Sequence, residues 1–275
     1  MQHTRLWGII AITTALVVPT TVQAGPGGHE VPDLSPLPAN DLIIGENDQP
    51  IRLLDQAVAR VQHDPPVRRD RALRFALTIR NLGQHSLDLL AEPLTTDPST
   101  QGPAVQITQC FAFIDPPLTG GARLCGARTP IRRTVQHPWH MHMHLPGFIR
   151  YELRNERNGR PGPVVRVSHK NSICVADRQP RSEHPDNLAW YQTCNPNDLP
   201  DATRMGISPN WADHRNSWDP EQYLPLKGLA DGYYWLVITI NAPQANGKRW
   251  LLETNYRNNT SYRRLKLQGL HVHAL

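Results

Sequence analysis

The 275-residue chain reads as all-β, a single-domain β-sandwich with long irregular loops and few helices. Three observations predict this. Short runs alternate apolar and polar side chains with a period of two, turn dipeptides such as Gly120-Gly121 and Asn158-Gly159 separate them, and almost no window shows a convincing helical periodicity.

Met1 to Arg5 is a short basic start, Leu6 to Val18 an apolar run and Val22-Gln23-Ala24 a small-residue cleavage signature. Residues 1–24 are therefore expected to be a secretory signal peptide. The apolar run falls short of the roughly 20 residues that a spanning helix needs, and no other stretch is apolar enough, so no membrane span is expected. Cleavage leaves 251 residues, enough for one sizeable core, in a secreted or periplasmic compartment where disulfides survive. The formal charge of +5 becomes +4 when Arg5 leaves with the signal. Basic residues form short groups (Arg68-Arg69 with Arg71, Arg132-Arg133, Arg263-Arg264) rather than a stripe, which fits solvated faces and no nucleic-acid partner. Cys110, Cys125, Cys174 and Cys194 allow three pairings, of which sequence neighbours, Cys110 with Cys125 and Cys174 with Cys194, are the expected ones.

Residues 25–48, rich in Pro, Gly and Asp, read as an extended N-terminal arm, and residues 49–275 as the folded domain. Leu53 to Val61 is expected to form one helical turn or two. Leu73, Phe75, Leu77 and Ile79 alternate with Arg74, Ala76, Thr78 and Arg80, predicting a strand with one apolar and one wet face, with Ser86 to Leu90 returning as a hairpin partner. Val105 to Phe113 is a second strand. Phe148 to Arg154 and Val164 to Val167 flank the Asn158-Gly159 turn. Asp177 to Pro220 is polar and irregular, carrying Trp190, Tyr191, Trp211 and Trp218, and such long segments are usually functional. Gly232 to Ile240 is apolar on both faces, which predicts a central strand covered on each side. A polar turn, Glu253 to Asn259, precedes a last strand at Tyr262 to Leu267.

The chemistry concentrates at His137-Pro138-Trp139-His140-Met141-His142-Met143-His144. On a strand His140, His142 and His144 share one face while Met141 and Met143 point into packing. Three neutral imidazoles on one face suit a metal, and an all-nitrogen site leans towards copper without excluding zinc. The outer pair would lie roughly 13 Å apart on a flat strand, so one ion needs a bend, for which Pro146-Gly147 is placed. The alternative is a solvent-facing histidine tract that binds metal adventitiously.

With these residues in view, the chain resembles the catalytic domain of the lysyl oxidase family, copper- and quinone-dependent amine oxidases, over roughly Val31 to Leu267. The spacing of His137, His140, His142 and His144, with Phe148 and Tyr151 after it, is similar to the family's copper strand. Ser168-His169-Lys170-Asn171-Ser172-Ile173-Cys174 resembles its G-H-K-A-S-F-C segment, and Gly206-Ile207-Ser208-Pro209 with Asp213 its G-L-S-P and following acid. Gly232-Tyr233-Tyr234-Trp235-Leu236 with Glu253-x-Asn255-Tyr256-x-Asn258-Asn259 resembles G-x-Y-x-L and E-x-D-Y-x-N-N.

The resemblance implies copper on His140, His142 and His144, with His137 and His169 behind the ligands, and a quinone built from Lys170 and a tyrosine. It implies oxidation of a primary amine, such as a lysyl side chain of a protein substrate, by O2 to an aldehyde, with release of hydrogen peroxide and ammonia. Asp213 is the candidate base. It also implies calcium where Asp33 and the Leu34 carbonyl meet Glu253, Asn255, Asn258 and Asn259, although an Asn-rich turn holding its own backbone would look the same. The chain departs from the pattern at Arg215, which stands where the quinone tyrosine is expected, and at Trp211 and Glu221, which stand where the family has a disulfide. Tyr191 and Tyr223 are the nearby tyrosines left to replace it. A secreted copper-binding protein without the quinone is accordingly the second expectation, and an immunoglobulin-like adhesion module a third, which leaves the histidines unexplained.

Overall fold

The computed structural model describes residues 31–46, 71–93, 104–110, 128–135, 144–181, 189–192, 203–219 and 221–275. In chain order the strands are β1 (Leu34–Pro36), β2 (Asn40–Glu46), β3 (Arg71–Asn81), β4 (Leu87–Pro93), β5 (Ala104–Cys110), β6 (Arg128–Val135), β7 (Leu145–Pro146), β8 (Ile149–Arg157) and β9 (Arg160–Val167). They continue as β10 (Ser172–Ile173), β11 (Gln179–Pro180), β12 (Thr203–Ile207), β13 (Trp211–Arg215), β14 (Tyr223–Pro225), β15 (Gly232–Ile240), β16 (Thr260–Gln268) and β17 (His271–Ala274). No helix occurs among the described residues, so the all-β reading holds. Leu53 to Val61 lies outside them.

Every pairing is antiparallel. One sheet runs β17-β16-β15-β8-β9, a second runs β12-β4-β5-β6, β7 and β10 form a two-stranded ladder, and the remaining strands gather around β3. β3 pairs β2 and then β1 along its length, and also β14 and then β13. The sheets share one apolar cluster. Leu73, Phe75, Leu77 and Ile79 of β3 meet Tyr151 and Leu153 of β8, Leu236 and Ile238 of β15, Leu87 and Leu89 of β4, and Met205 and Ile207 of β12. Phe75 and Tyr151 lie edge to face with centroids 5.0 Å apart, joining β3 to the five-stranded sheet. Layers closed over a common core are a β-sandwich arrangement.

Five expectations change in detail. The segment read as an arm contributes β1 and β2, because its backbone completes ladders with β3. The second face of β3 is covered rather than wet: Arg74 is buried, its Nε donating to the Ser217 carbonyl (2.7 Å) and its Nη2 to the Asp219 carbonyl (2.8 Å). β4 does not return along β3 but crosses to pair β5 and β12. β15 is central, with β16 and β8 as neighbours, yet only Tyr234, Leu236, Ile238 and Ile240 face the core, while Tyr233 on the other face is 48% exposed. The stretch read as irregular between Asp177 and Pro220 supplies β11, β12 and β13. The Asn158-Gly159 turn forms as expected, both residues having positive φ (51° and 72°), as a type I′ hairpin requires.

Candidate functional site

Two motifs far apart in sequence are brought side by side by the shortest ladder. Leu145 pairs Ile173 and Pro146 pairs Ser172, so the end of the histidine run lies against the segment that begins at Ser168. His144 Nδ1 and Ser172 Oγ are 3.0 Å apart. Gly147 follows with φ at 69°, a left-handed position that turns the chain into β8 where the bend was expected. His137, His140 and His142 lie outside the described residues. Of the expected copper ligands only His144 is described, and its contact with Ser172 is at Nδ1, so any metal it ligated would be met through Nε2.

Lys170 sits two residues before that ladder and is largely withdrawn from water. Its pKa falls from 10.5 to about 8, chiefly through burial and then through the Arg215 cation, with Glu221, Asp219 and Asp213 opposing both. Its amine is thus partly neutral near neutral pH, the state a nucleophilic or crosslinking amine requires. His169 beside it is exposed.

β13 supplies the opposite wall. Residues two apart on a strand share a face, and Asp213 and Arg215 do so: Arg215 Nε donates to Asp213 Oδ2 at 3.1 Å, while Arg215 Nη2 reaches the Cys174 carbonyl. Asp213 is wholly buried, which raises its pKa, with Arg215 the chief opposing influence and the Arg178 cation a smaller one. Asp213 Oδ1 has no hydrogen-bond partner. Tyr151, fully buried on β8, donates from its hydroxyl to Gln222 Oε1 at 3.2 Å, and the Gln222 Nε2 beside it is buried and unpartnered. Tyr151 feels Arg215, Asp213 and Asp219, the same charges that act on Lys170. Its own pKa is raised, chiefly by burial.

The two tyrosines named as replacements are occupied elsewhere. The Arg74 guanidinium lies over the Tyr223 ring at 5.8 Å, and the Tyr191 ring packs against Gly206, where a Cβ would meet its Cζ at 2.8 Å. Asp177 holds that loop, its Oδ2 accepting from the Trp190 and Tyr191 N–H groups and from the Ser208 hydroxyl. Trp211, standing where a cysteine was expected, is buried. Neither described cysteine, Cys110 or Cys174, is a free thiol. Cys125 and Cys194 lie outside the described residues.

The second cluster gathers around Glu253. Leu34 N–H donates to Glu253 Oε2 (2.9 Å), while Asn241 Nδ2 (2.6 Å) and Asn259 Nδ2 (2.8 Å) donate to Oε1. Asn258 Nδ2 donates to Asp33 Oδ1 at 2.7 Å, and Thr254 N–H to the Pro32 carbonyl at 2.9 Å. Burial raises the Glu253 pKa from 4.5 to about 7 against the pull of these donors. Asn258 Oδ1 and Asn259 Oδ1 are buried without partners, and orphaned oxygens beside the Asp33 carboxylate fit a hard cation such as calcium. Glu253 fits differently, since both its oxygens already accept N–H groups; it clamps the two segments together. Asn255 Oδ1 accepts from Arg257 N–H and so closes its own turn at 3.0 Å. Among the described residues no group of three or more His, Cys, Asp or Glu side chains surrounds a metal position.

Sequence reasoning did not single out Tyr151, Ser172, Gln222 or Asn241 for these roles. Tyr151 and Ser172 stood inside quoted motifs without a role of their own, and Gln222 and Asn241 had no local signal. No family model matches the chain, and no match was found among curated proteins.

Proposed function

We propose that the chain is a secreted copper-dependent amine oxidase of the lysyl oxidase type, acting on primary amines, including lysyl side chains of proteins, with O2 as acceptor. The observation that carries this reading is the β7–β10 ladder, which sets His144 beside the segment bearing the low-pKa Lys170. In that arrangement His140, His142 and His144 would hold copper, and copper with a lysine-derived quinone would supply electron transfer from the amine to O2.

The chain's own residues do the positioning. Ser172 fixes the His144 ring at Nδ1. Lys170 is kept partly neutral by burial, so its nitrogen lone pair is available for bond formation. Asp213, whose proton affinity is raised by burial, is the group placed to take up and return a proton near Lys170, and Arg215 holds its Oδ2 while leaving Oδ1 open. Calcium at Asp33, Asn258 and Asn259 would tie the first strand to the last turn, away from the reaction.

The second reading, a copper-binding protein that lacks the quinone, is favoured by one specific observation. Arg215 occupies the expected tyrosine position and is committed to Asp213 and to the Cys174 carbonyl. One experiment decides between them: copper-loaded protein is given alkylamines and lysyl peptides while peroxide release and a quinone absorbance band are followed. Peroxide with a band supports the oxidase. Bound copper with neither excludes it and leaves the second reading.

A further inference from the structure

The outer face of the five-stranded sheet is not used by either cluster, and its composition is unusual for a merely solvated surface. Register places Tyr233, Trp235, Val237 and Thr239 of β15 on one face with Lys266, Arg264, Tyr262 and Thr260 of β16, and with Arg154, Glu152 and Arg150 of β8. β17 adds His273 opposite Lys266 and His271 opposite Gln268, while Val164 and Val167 of β9 lie opposite Arg154 and Glu152. The face extends roughly 20 Å along the strands and about 19 Å across the five of them. Tyr233 and Tyr262 are each about half exposed, as are Val164 and Val167 to a slightly smaller degree.

The charges are layered. Glu152 lies beneath, with its side chain 7% exposed, and accepts from Arg154 Nη2 at 2.6 Å and from Arg150 Nη2 at 2.5 Å, whose side chain is 56% exposed. Glu156 takes Arg264 in a two-pronged contact through Nε (2.5 Å) and Nη2 (2.8 Å), and that guanidinium also lies 5.2 Å over the Tyr233 ring. Acids below fix the planes of guanidinium groups above, so the outward side is positive and its donors are already oriented.

We propose that this face binds an acidic polysaccharide whose rings carry carboxylates, a uronate-rich chain. Oriented guanidinium groups match planar carboxylates two bonds at a time. Exposed Tyr262, Val164 and Val167 offer apolar surface to the C–H faces of sugar rings, and Thr239 and Thr260 offer hydroxyls. A single-stranded nucleic acid needs a series of open ring faces for its bases, and here the Tyr233 face is taken by Arg264. The proposal does not depend on the copper reading, since no residue of this face belongs to either cluster.

The full-length protein is titrated with a short oligogalacturonide, with its methyl ester, with polyglutamate and with single-stranded DNA, and Kd is measured at low and physiological salt. The free acid binds most tightly and weakens as salt rises. Its ester, which keeps the rings and removes the charge, and polyglutamate, which keeps the charge and removes the rings, each bind about tenfold more weakly or worse. Lys266→Ser, which leaves the Arg150–Glu152 pair in place, weakens binding by about tenfold, as does Tyr262→Ser separately, and the thermal unfolding of each variant is followed alongside to show that the fold is kept. No binding of the free acid, equal binding of polyglutamate, tighter binding of DNA, or binding unaffected by either variant would each overturn the proposal.

Discussion

Arg215 Nε and Asp213 Oδ2 meet at 3.1 Å on one face of β13, and the acid of this pair has no exposure to solvent. A buried carboxylate depends on the charge that touches it, and Arg215 acts on Asp213 more strongly than the second cation, Arg178. Arg215→Leu is expected to destabilise the fold by about 3 kcal/mol, because it strands the acid. The loss should deepen as pH rises above the ordinary carboxylate range, since burial already raises the Asp213 pKa and makes the charged form the costly one. Arg215→Leu combined with Asp213→Asn should recover most of the loss. Urea unfolding of the three variants at pH 5 and pH 8 checks all of this; additive losses would show that the two side chains are not coupled.

Glu253 gives the fold a second pH dependence. Its folded pKa of about 7 lies above its ordinary value of 4.5, so the folded protein binds the proton more tightly than the unfolded one. Its contribution is complete below about pH 4.5 and is lost as pH rises to about 7. Over that window about 3 kcal/mol is at stake. Glu253→Gln keeps the shape, cannot ionise, and should flatten the dependence of the unfolding midpoint on pH. An unchanged slope would assign it to another group.

Calcium should raise the unfolding temperature through Asn258 and Asn259, whose buried oxygens lack partners. Asn258→Ala should abolish that rise while leaving copper binding intact. Calorimetric scans with and without calcium are the measurement, and a rise that survives the substitution would place the cation elsewhere.

Gly206 is where the backbone of β12 comes closest to its neighbours. A Cβ there would lie 2.0 Å from the Leu87 carbonyl oxygen and 2.8 Å from the Tyr191 ring. Backbone cannot swing aside as a side chain can, so Gly206→Ala should cost about 3 kcal/mol or prevent folding. Denaturant titration is the check. Gly159→Ala, at a hairpin tip with nothing within 4 Å, should cost far less, its penalty coming from a φ of 72° alone.

Ser172→Ala removes the group that orients His144. Copper affinity is expected to fall roughly 10- to 100-fold with little change in stability. Competition against a colorimetric chelator reads it, and an unaltered affinity would mean that the ring is held by other means.

Much of the architecture was legible because one face of each strand has to be apolar. Leu73 to Ile79, Ile149 to Leu153 and Tyr234 to Ile240 all announced their inward sides. What stayed hidden depends on partners distant in sequence. Arg74 looks like a solvent-facing residue until the carbonyls of Ser217 and Asp219, more than 140 positions away, supply its acceptors. Tyr233 and Trp235 look like a second buried face because side-chain type alone cannot separate a covered ring from one lying beneath an arginine. The chain after Asn81 could turn back or cross over, and a short loop does not reveal which. At the site, Lys170 and Asp213 stood out by motif, whereas Tyr151 and Gln222 joined them only through the fold.

The contact between Leu34 and Glu253 spans 219 positions, and that between Asp33 and Asn258 spans 225. Closing such distant pairs carries a large loop entropy before any contact is gained, which slows folding. β1 can pair β3 as soon as both have been made, but its clasp waits for Glu253 and Asn258, which are synthesised more than 170 positions after β3. Closure of this clasp is therefore a late step, and cutting the chain between Leu252 and Asn259 should loosen β1.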